Sequence, residues 1–140
     1  MSEQALAAYA RFYETLSPET LDGLRPLVAP QVRFKDPFND VRGVEALLRA
    51  TAAMFRFGTP RFEILDRALS ERAGYLLWRY TVDIHAATPR IIEGMTELRF
   101  DAEGRVAEHI DHWDAAEQLY EKVPLLGTLL RLIKRRFHTS

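Results

Sequence analysis

The sequence contains no cysteine among its 140 residues. Disulfides, thiolate-held zinc, iron–sulfur clusters and thiol nucleophiles are excluded together. It also lacks an excess of either charge. With 19 basic against 20 acidic side chains the net charge is −1, which makes no case for nucleic-acid binding by the chain as a whole. No apolar run approaches the roughly 20 residues of a membrane-crossing helix. The N-terminal stretch MSEQALAAYARF carries Glu3 and lacks the basic-then-apolar pattern of an export signal, so a soluble cytoplasmic protein is expected. Nucleophile elbows, phosphate loops and dinucleotide glycine patterns are missing too. Asp101-Ala102-Glu103-Gly104 has the wrong ligand spacing for a calcium loop. There are no repeats, low-complexity tracts or linkers. What remains is 47% apolar and 28% charged, the make-up of an ordinary globular domain. One domain of this length buries about two thirds of its unfolded surface and needs no staples.

Two helices, a short strand, a third helix and four strands are expected, in that order. Leu6, Tyr9, Tyr13 and Leu16 fall on one helical stripe within residues 3–16. Ser17-Pro18-Glu19 is a helix start, with a capping hydroxyl, proline at the first position and an acid in the first turn. Leu21, Leu24, Leu27 and Val28 continue one face of that second helix until Pro30. From Gln31 to Asp36 the pattern alternates as a strand, with Val32, Phe34 and Asp36 on one side and Arg33 and Lys35 on the other. Pro37, Asn39 and Gly43 mark a loop, and 44–57 returns to helix through Leu47, Leu48, Ala52 and Phe55.

The second half alternates with period two. Strands are expected over 61–69, 74–85, 90–100 and 105–114, with a hairpin connection at Ala86-Ala87-Thr88-Pro89 and a polar turn at 101–104. In the second of these, Leu76, Trp78, Tyr80, Val82 and Ile84 share one face. The fold class is α+β, a single domain over 1–140, with a core of about 5–115 and a C-terminal helical extension of about 116–138.

Two groups of residues could carry chemistry. Asp36 ends its strand on the apolar side; an inward carboxylate is costly to ionise and is prepared for proton transfer. The alternative is that Asp36-Pro37 caps a turn through a backbone N–H. His109, Asp111 and Trp113 alternate onto one face of the last strand, where a carboxylate can orient an imidazole beside an indole wall. A buried structural hydrogen-bond network would use the same residues. A metal would need a third ligand, Asp36 being the obvious one; no metal or cofactor is expected. Glu93 and Glu97 lie on one strand face with Thr96 opposite, which suits a solvated face for the glutamates. Trp78 and Tyr80 suit core or pocket wall, since they lack the basic interleaving of a nucleic-acid groove.

The tail PLLGTLLRLIKRRF, 124–137, is broadly apolar with Arg131, Lys134, Arg135 and Arg136 near its end. The last ten residues carry +4, so the preceding 130 carry −5. Packing on its own sheet or on a partner subunit is favoured over an anionic membrane, for which four cations are few.

VRFKDPFNDVRG at 32–43 and ELRFDAEGRVAEHIDHWD at 97–114, in this order of elements, resemble the nuclear-transport-factor-2-like superfamily. Its SnoaL-like branch includes polyketide cyclases, and ketosteroid isomerases belong to the same superfamily. The resemblance spans roughly residues 5–115. It implies a cone-shaped curved sheet whose concave side, closed by the N-terminal helices, holds a pocket. It places Asp36 in Lys35-Asp36-Pro37 at the isomerase-type catalytic base, and His109, Asp111 and Trp113 at pocket-lining positions. The isomerase oxyanion-hole positions fall on Phe12, with Tyr13 one residue away, and on Thr96. Neither Phe12 nor Thr96 supplies the acidic hydroxyl donor, which counts against steroid isomerisation. Bacterial SnoaL-like proteins are similar over the whole length, including Tyr120-Glu121-Lys122-Val123-Pro124-Leu125-Leu126-Gly127 and the basic tail.

The expected function is binding of a small, largely apolar molecule, with cofactor-free acid–base isomerisation, cyclisation or dehydration. Asp36, His109 and Asp111 would handle the proton, while Tyr13, Trp78, Tyr80, Thr96 and Trp113 line the pocket. A homodimer through the sheet face is expected, and a non-catalytic ligand-binding or sensing module, or a dimeric interaction scaffold, is the alternative function.

Overall fold

The computed structural model describes residues 2–83, 90–118 and 124–138. Helix α1, Glu3–Glu14, opens with Ser2 as its cap: the Ser2 hydroxyl accepts the Ala5 N–H at 3.1 Å. Its stripe of Leu6, Tyr9, Ala10, Phe12 and Tyr13 is buried. Then follow strand β1 (Val28–Lys35), β2 (Asp40–Arg42), helix α2 (Val44–Ala52), β3 (Thr59–Leu69), β4 (Gly74–Asp83), β5 (Arg90–Phe100), β6 (Val106–His112), the single turn α3 (Ala115–Gln118) and α4 (Pro124–Arg136).

The six strands form one sheet in the order β2-β1-β6-β5-β4-β3. Neighbours run antiparallel except β1 and β6, which are parallel. Register shifts interrupt the ladders between Val28 and Arg33, Ile64 and Asp66, and Arg99 and Phe100; irregularities of this kind bend a sheet and increase its twist. Helix α1 packs against β3 and α2 against β1, and both cover the same concave face. Val32 and Phe34, Leu76 and Trp78, and Leu98 and Val106 are buried beneath them. Their alternation along each strand is what the expected in-and-out pattern requires.

Three local expectations differ from the fold. The second helix is absent as an α-helix. Ser17–Thr20 forms a hydrogen-bonded turn, and a 3-10 segment runs from Leu21 to Leu27 with Pro26 inside it. Proline has no N–H for an i−4 bond and its ring crowds the carbonyl there, so α geometry is not sustained. Pro30 therefore stops nothing; it lies within β1 at the irregular stretch before Arg33, where a ladder bond is dispensable. The segment expected as a loop after Asp36 contains β2, whose Val41 pairs with Phe34. Helix α2 ends at Ala52, and Ala53–Phe57 tightens into a second 3-10 turn. The expected hairpin at Ala86–Pro89, the Ile84 position and the Tyr120–Val123 segment lie outside the described residues.

On the convex side Leu77, Ile91 and Met95 are exposed. Helix α4 presents Leu125 and Leu129 at 88% and 54% exposure, and Phe137 just past its end is 80% exposed. Among the described residues no helix is long and apolar enough to cross a membrane.

Candidate functional site

Strand β6 occupies the centre of the concave face because β1 and β5 flank it. Register then decides what meets what. His109 lies between Phe34 of β1 and Leu98 of β5, and Asp111 lies opposite Thr96. One step outward, Leu76 of β4 pairs with Thr96, and Trp78 pairs with Gly94. Paired residues share a face, so the side chains of Asp111, Thr96, Leu76 and Trp78 converge.

The result is a continuous hydrogen-bonded chain. The Trp78 Nε1–H donates to Thr96 Oγ1 at 2.8 Å, and the Thr96 hydroxyl donates to Asp111 Oδ1 at 2.5 Å. His109 Nε2 lies 2.8 Å from the same Oδ1, and His109 Nδ1 lies 2.7 Å from the Tyr9 hydroxyl. An ionised carboxylate only accepts, so the proton between His109 and Asp111 sits on Nε2. In the neutral imidazole the Tyr9 hydroxyl then donates to Nδ1. His109 is 3% exposed and wrapped edgewise by Tyr9, Tyr13 and Phe34, at ring separations of 5.6, 5.7 and 5.1 Å. Burial raises the Tyr9 hydroxyl well above the ordinary phenol range, with Tyr13 and the Asp111 charge adding to it. Burial raises Tyr13 as well. Both hydroxyls remain protonated donors.

Two adjoining cavities open from this chain. The inner one, lined by Tyr13, Phe34, Leu76, Thr96 and His109, holds about 20 Å³, room for one water. The outer one holds about 150 Å³ and is lined by Asp36, Tyr80, Ile92 and Trp113. Met54, Phe62, Trp78 and Asp111 border both. All eight residues singled out in the sequence thus lie along one or both spaces. The hydrogen bonds of Asp36 are separate from that chain. Asp36 Oδ1 accepts the N–H groups of Phe38 at 2.8 Å and Asn39 at 2.7 Å, and the Asn39 side-chain amide at 3.1 Å. That is the turn-capping arrangement, made at the mouth of the outer cavity. Trp113 stands against Phe38 with ring centres 5.6 Å apart.

Four contributors were not singled out as site residues. Tyr9 was legible only as part of an apolar helical stripe. Phe62 and Met54 carry no chemical signature. Gly94 matters by what it lacks: a Cβ there would stand 2.8 Å from the His112 carbonyl oxygen and from Trp78 Cζ2 and Cη2. Its position inside a strand was the available signal, since glycine there marks close approach of another group. Glu93 is exposed and Glu97 partly so; Arg99 and His112 together hold the Glu97 carboxyl below its usual range against the opposing effect of burial. Among the described residues no three His, Asp or Glu side chains are grouped as a metal site.

The SnoaL-like domain model matches residues 9–109. The chain belongs to the SnoaL-like family. The matched span runs from Tyr9 to His109, the two ends of one hydrogen bond. No curated protein matches this SnoaL-like chain significantly. Solved structures share its fold at low identity. A candidate SnoaL-like polyketide cyclase from Jannaschia sp. CCS1 is 15% identical with a TM-score of 0.72, over 84% of this chain and 92% of that one. A protein of ketosteroid isomerase-like fold from Catenulispora acidiphila, solved with trimethylamine, is 18% identical at 0.69, over 85% and 92%. An epoxide hydrolase from M. tuberculosis is 18% identical at 0.66, over 94% and 96%. These likenesses establish the nuclear-transport-factor-2-like fold.

Proposed function

We propose that this SnoaL-like domain binds a small, largely apolar molecule in the outer cavity and transfers a proton to or from it through Asp111. The observation that carries this reading is the division of labour on one carboxylate. Asp111 Oδ1 is held by Thr96 and His109, while Oδ2 makes neither bond and the side chain borders the outer cavity. A carboxylate fixed at one oxygen and available at the other is oriented for general acid–base work. His109 steadies it, and Tyr9 fixes the imidazole in turn. Asp36 stands at the mouth, where it would relay the proton or orient the ligand. Isomerisation, cyclisation and dehydration all fit such a site, and none needs a group beyond these side chains. The volume of about 150 Å³ admits a group of about the size of one six-membered ring, since an engineered apolar cavity of similar size takes benzene. The trimethylamine held by the Catenulispora protein is of a size this cavity admits.

Native mass spectrometry of the freshly purified chain tests the reading by revealing a retained molecule. With that molecule in hand, Asp111→Asn should lower turnover about 100-fold while binding persists. Turnover equal to that of the parent chain would refute the role of Asp111. A second reading, binding without turnover, is favoured by one observation: both ring nitrogens of His109 are already engaged, as in a structural network. In that case Asp111→Asn changes affinity and there is no reaction to lose.

A further inference from the structure

The outer cavity combines two kinds of lining that a neutral apolar ligand does not need together. Phe62, Trp78 and Tyr80 make a continuous aromatic wall, with Phe62 4.8 Å from Tyr80 and 5.8 Å from Trp78 between ring centres. Trp113 adds a fourth ring. Among these rings stand the carboxylates of Asp36 and Asp111, and no Lys, Arg or His is among the described residues that line the space. A carboxylate in a water-poor, apolar space is costly unless it meets a countercharge. Both bonds to Asp111, from Thr96 and His109, converge on Oδ1, so they orient the carboxylate and leave Oδ2 for a ligand. Aromatic rings carry negative faces, so they attract cations whose own surface is apolar. The charge of the body points the same way, at −5 over residues 1–130.

Resting on the reading that this cavity holds the ligand, we infer that the ligand is a small alkylammonium, a cation wrapped in methyl or methylene groups. Inorganic cations are poor fits, since they need oxygen donors in place of rings. A small alkylammonium matches the volume of about 150 Å³. The ammonium group sits between the aromatic wall and the two carboxylates, and its alkyl shell fills the space beside Ile92 and Met54.

The chain has two tryptophans, Trp78 and Trp113, and both border the cavity, so their indole N–H signals report on it directly. The experiment titrates the full chain with choline and, separately, with 3,3-dimethyl-1-butanol, its uncharged isostere, at constant ionic strength. Saturable shifts of both indole signals are expected with choline, at least tenfold tighter than with the alcohol. Trp113→Leu should weaken choline about fivefold or more, and Trp113→Phe should restore most of the loss, which a purely space-filling role would not require. Equal or tighter saturation by the alcohol overturns the cationic assignment and leaves the small-ligand reading standing. The absence of a saturable shift with either probe overturns both.

Discussion

Replacing Gly94 by alanine adds one methyl group where the structure has room for none. The new Cβ would lie 2.8 Å from the backbone oxygen of His112 and 2.8 Å from two ring carbons of Trp78. Neither neighbour can yield cheaply. The His112 carbonyl belongs to β6, and the Trp78 ring is pinned by its bond to Thr96 and by Phe62. Overpacking of this kind costs about 1–3 kcal/mol. Displacing Trp78 also strands a buried indole N–H, about 1–3 kcal/mol more. The reduced freedom of the unfolded chain returns roughly 0.4–1 kcal/mol. A net loss of about 2–4 kcal/mol follows, or roughly 6–12 °C in Tm at about 3 °C per kcal/mol for a domain of this size. Thermal unfolding followed by circular dichroism measures it, and tryptophan emission should move to longer wavelength as Trp78 leaves its pocket. Gly23→Ala is the companion measurement. There the nearest atoms are Phe12 ring carbons at 3.8 and 3.9 Å, ordinary contact, so Tm should hold or rise slightly. A Gly94→Ala chain melting within about 2 °C of the parent would refute the close-approach argument.

Tyr9→Phe removes the hydroxyl that satisfies His109 Nδ1 in a fully buried setting; the urea midpoint should fall by the equivalent of about 1–3 kcal/mol, and an unchanged midpoint would contradict the chain of bonds. Tyr9 and Tyr13 both titrate above the ordinary phenol value of 10.0 in the folded state, so the unfolded chain releases its protons first. Stability is therefore complete below about pH 10 and falls as pH rises further, with Tm declining on the alkaline side and less steeply in Tyr13→Phe. Leu129, 54% exposed on α4, should tolerate serine within about 0.5 kcal/mol, whereas Leu98, wholly buried on β5, should lose about 2–5 kcal/mol on truncation to alanine. Denaturant unfolding of the two variants checks the contrast, and equal losses would mean that α4 is part of the cooperative core.

The strands from residue 59 onward were legible because burial of one sheet face imposes a period of two, and that period is a local property of the chain. The same alternation placed His109, Asp111 and Trp113 on one side of the last strand. The structure buries His109, half-buries Asp111 and Trp113, and leaves His112 on the other side exposed. The helical stretch after Ser17 was misleading for a related reason. Its leucine spacing is compatible with either helix type, and the decision lay with Pro26, inside the segment. Asp36 carried two readings in the sequence, and its hydrogen bonds to Phe38 and Asn39 are those of the turn, made at the rim of the cavity.

By itself, then, the chain determined its α+β class, the face on which each strand residue lies, and the chemistry available once cysteine was absent. The tertiary structure alone decided which of those residues touch. Tyr9 meets His109 across a hundred positions, Thr96 meets Asp111 across a strand pairing, and Trp78 reaches Thr96 because Gly94 leaves it space. Alternation assigns a side chain to a face, but the neighbour on that face is set by strand order and register. Both follow from the packing of the whole sheet against α1 and α2.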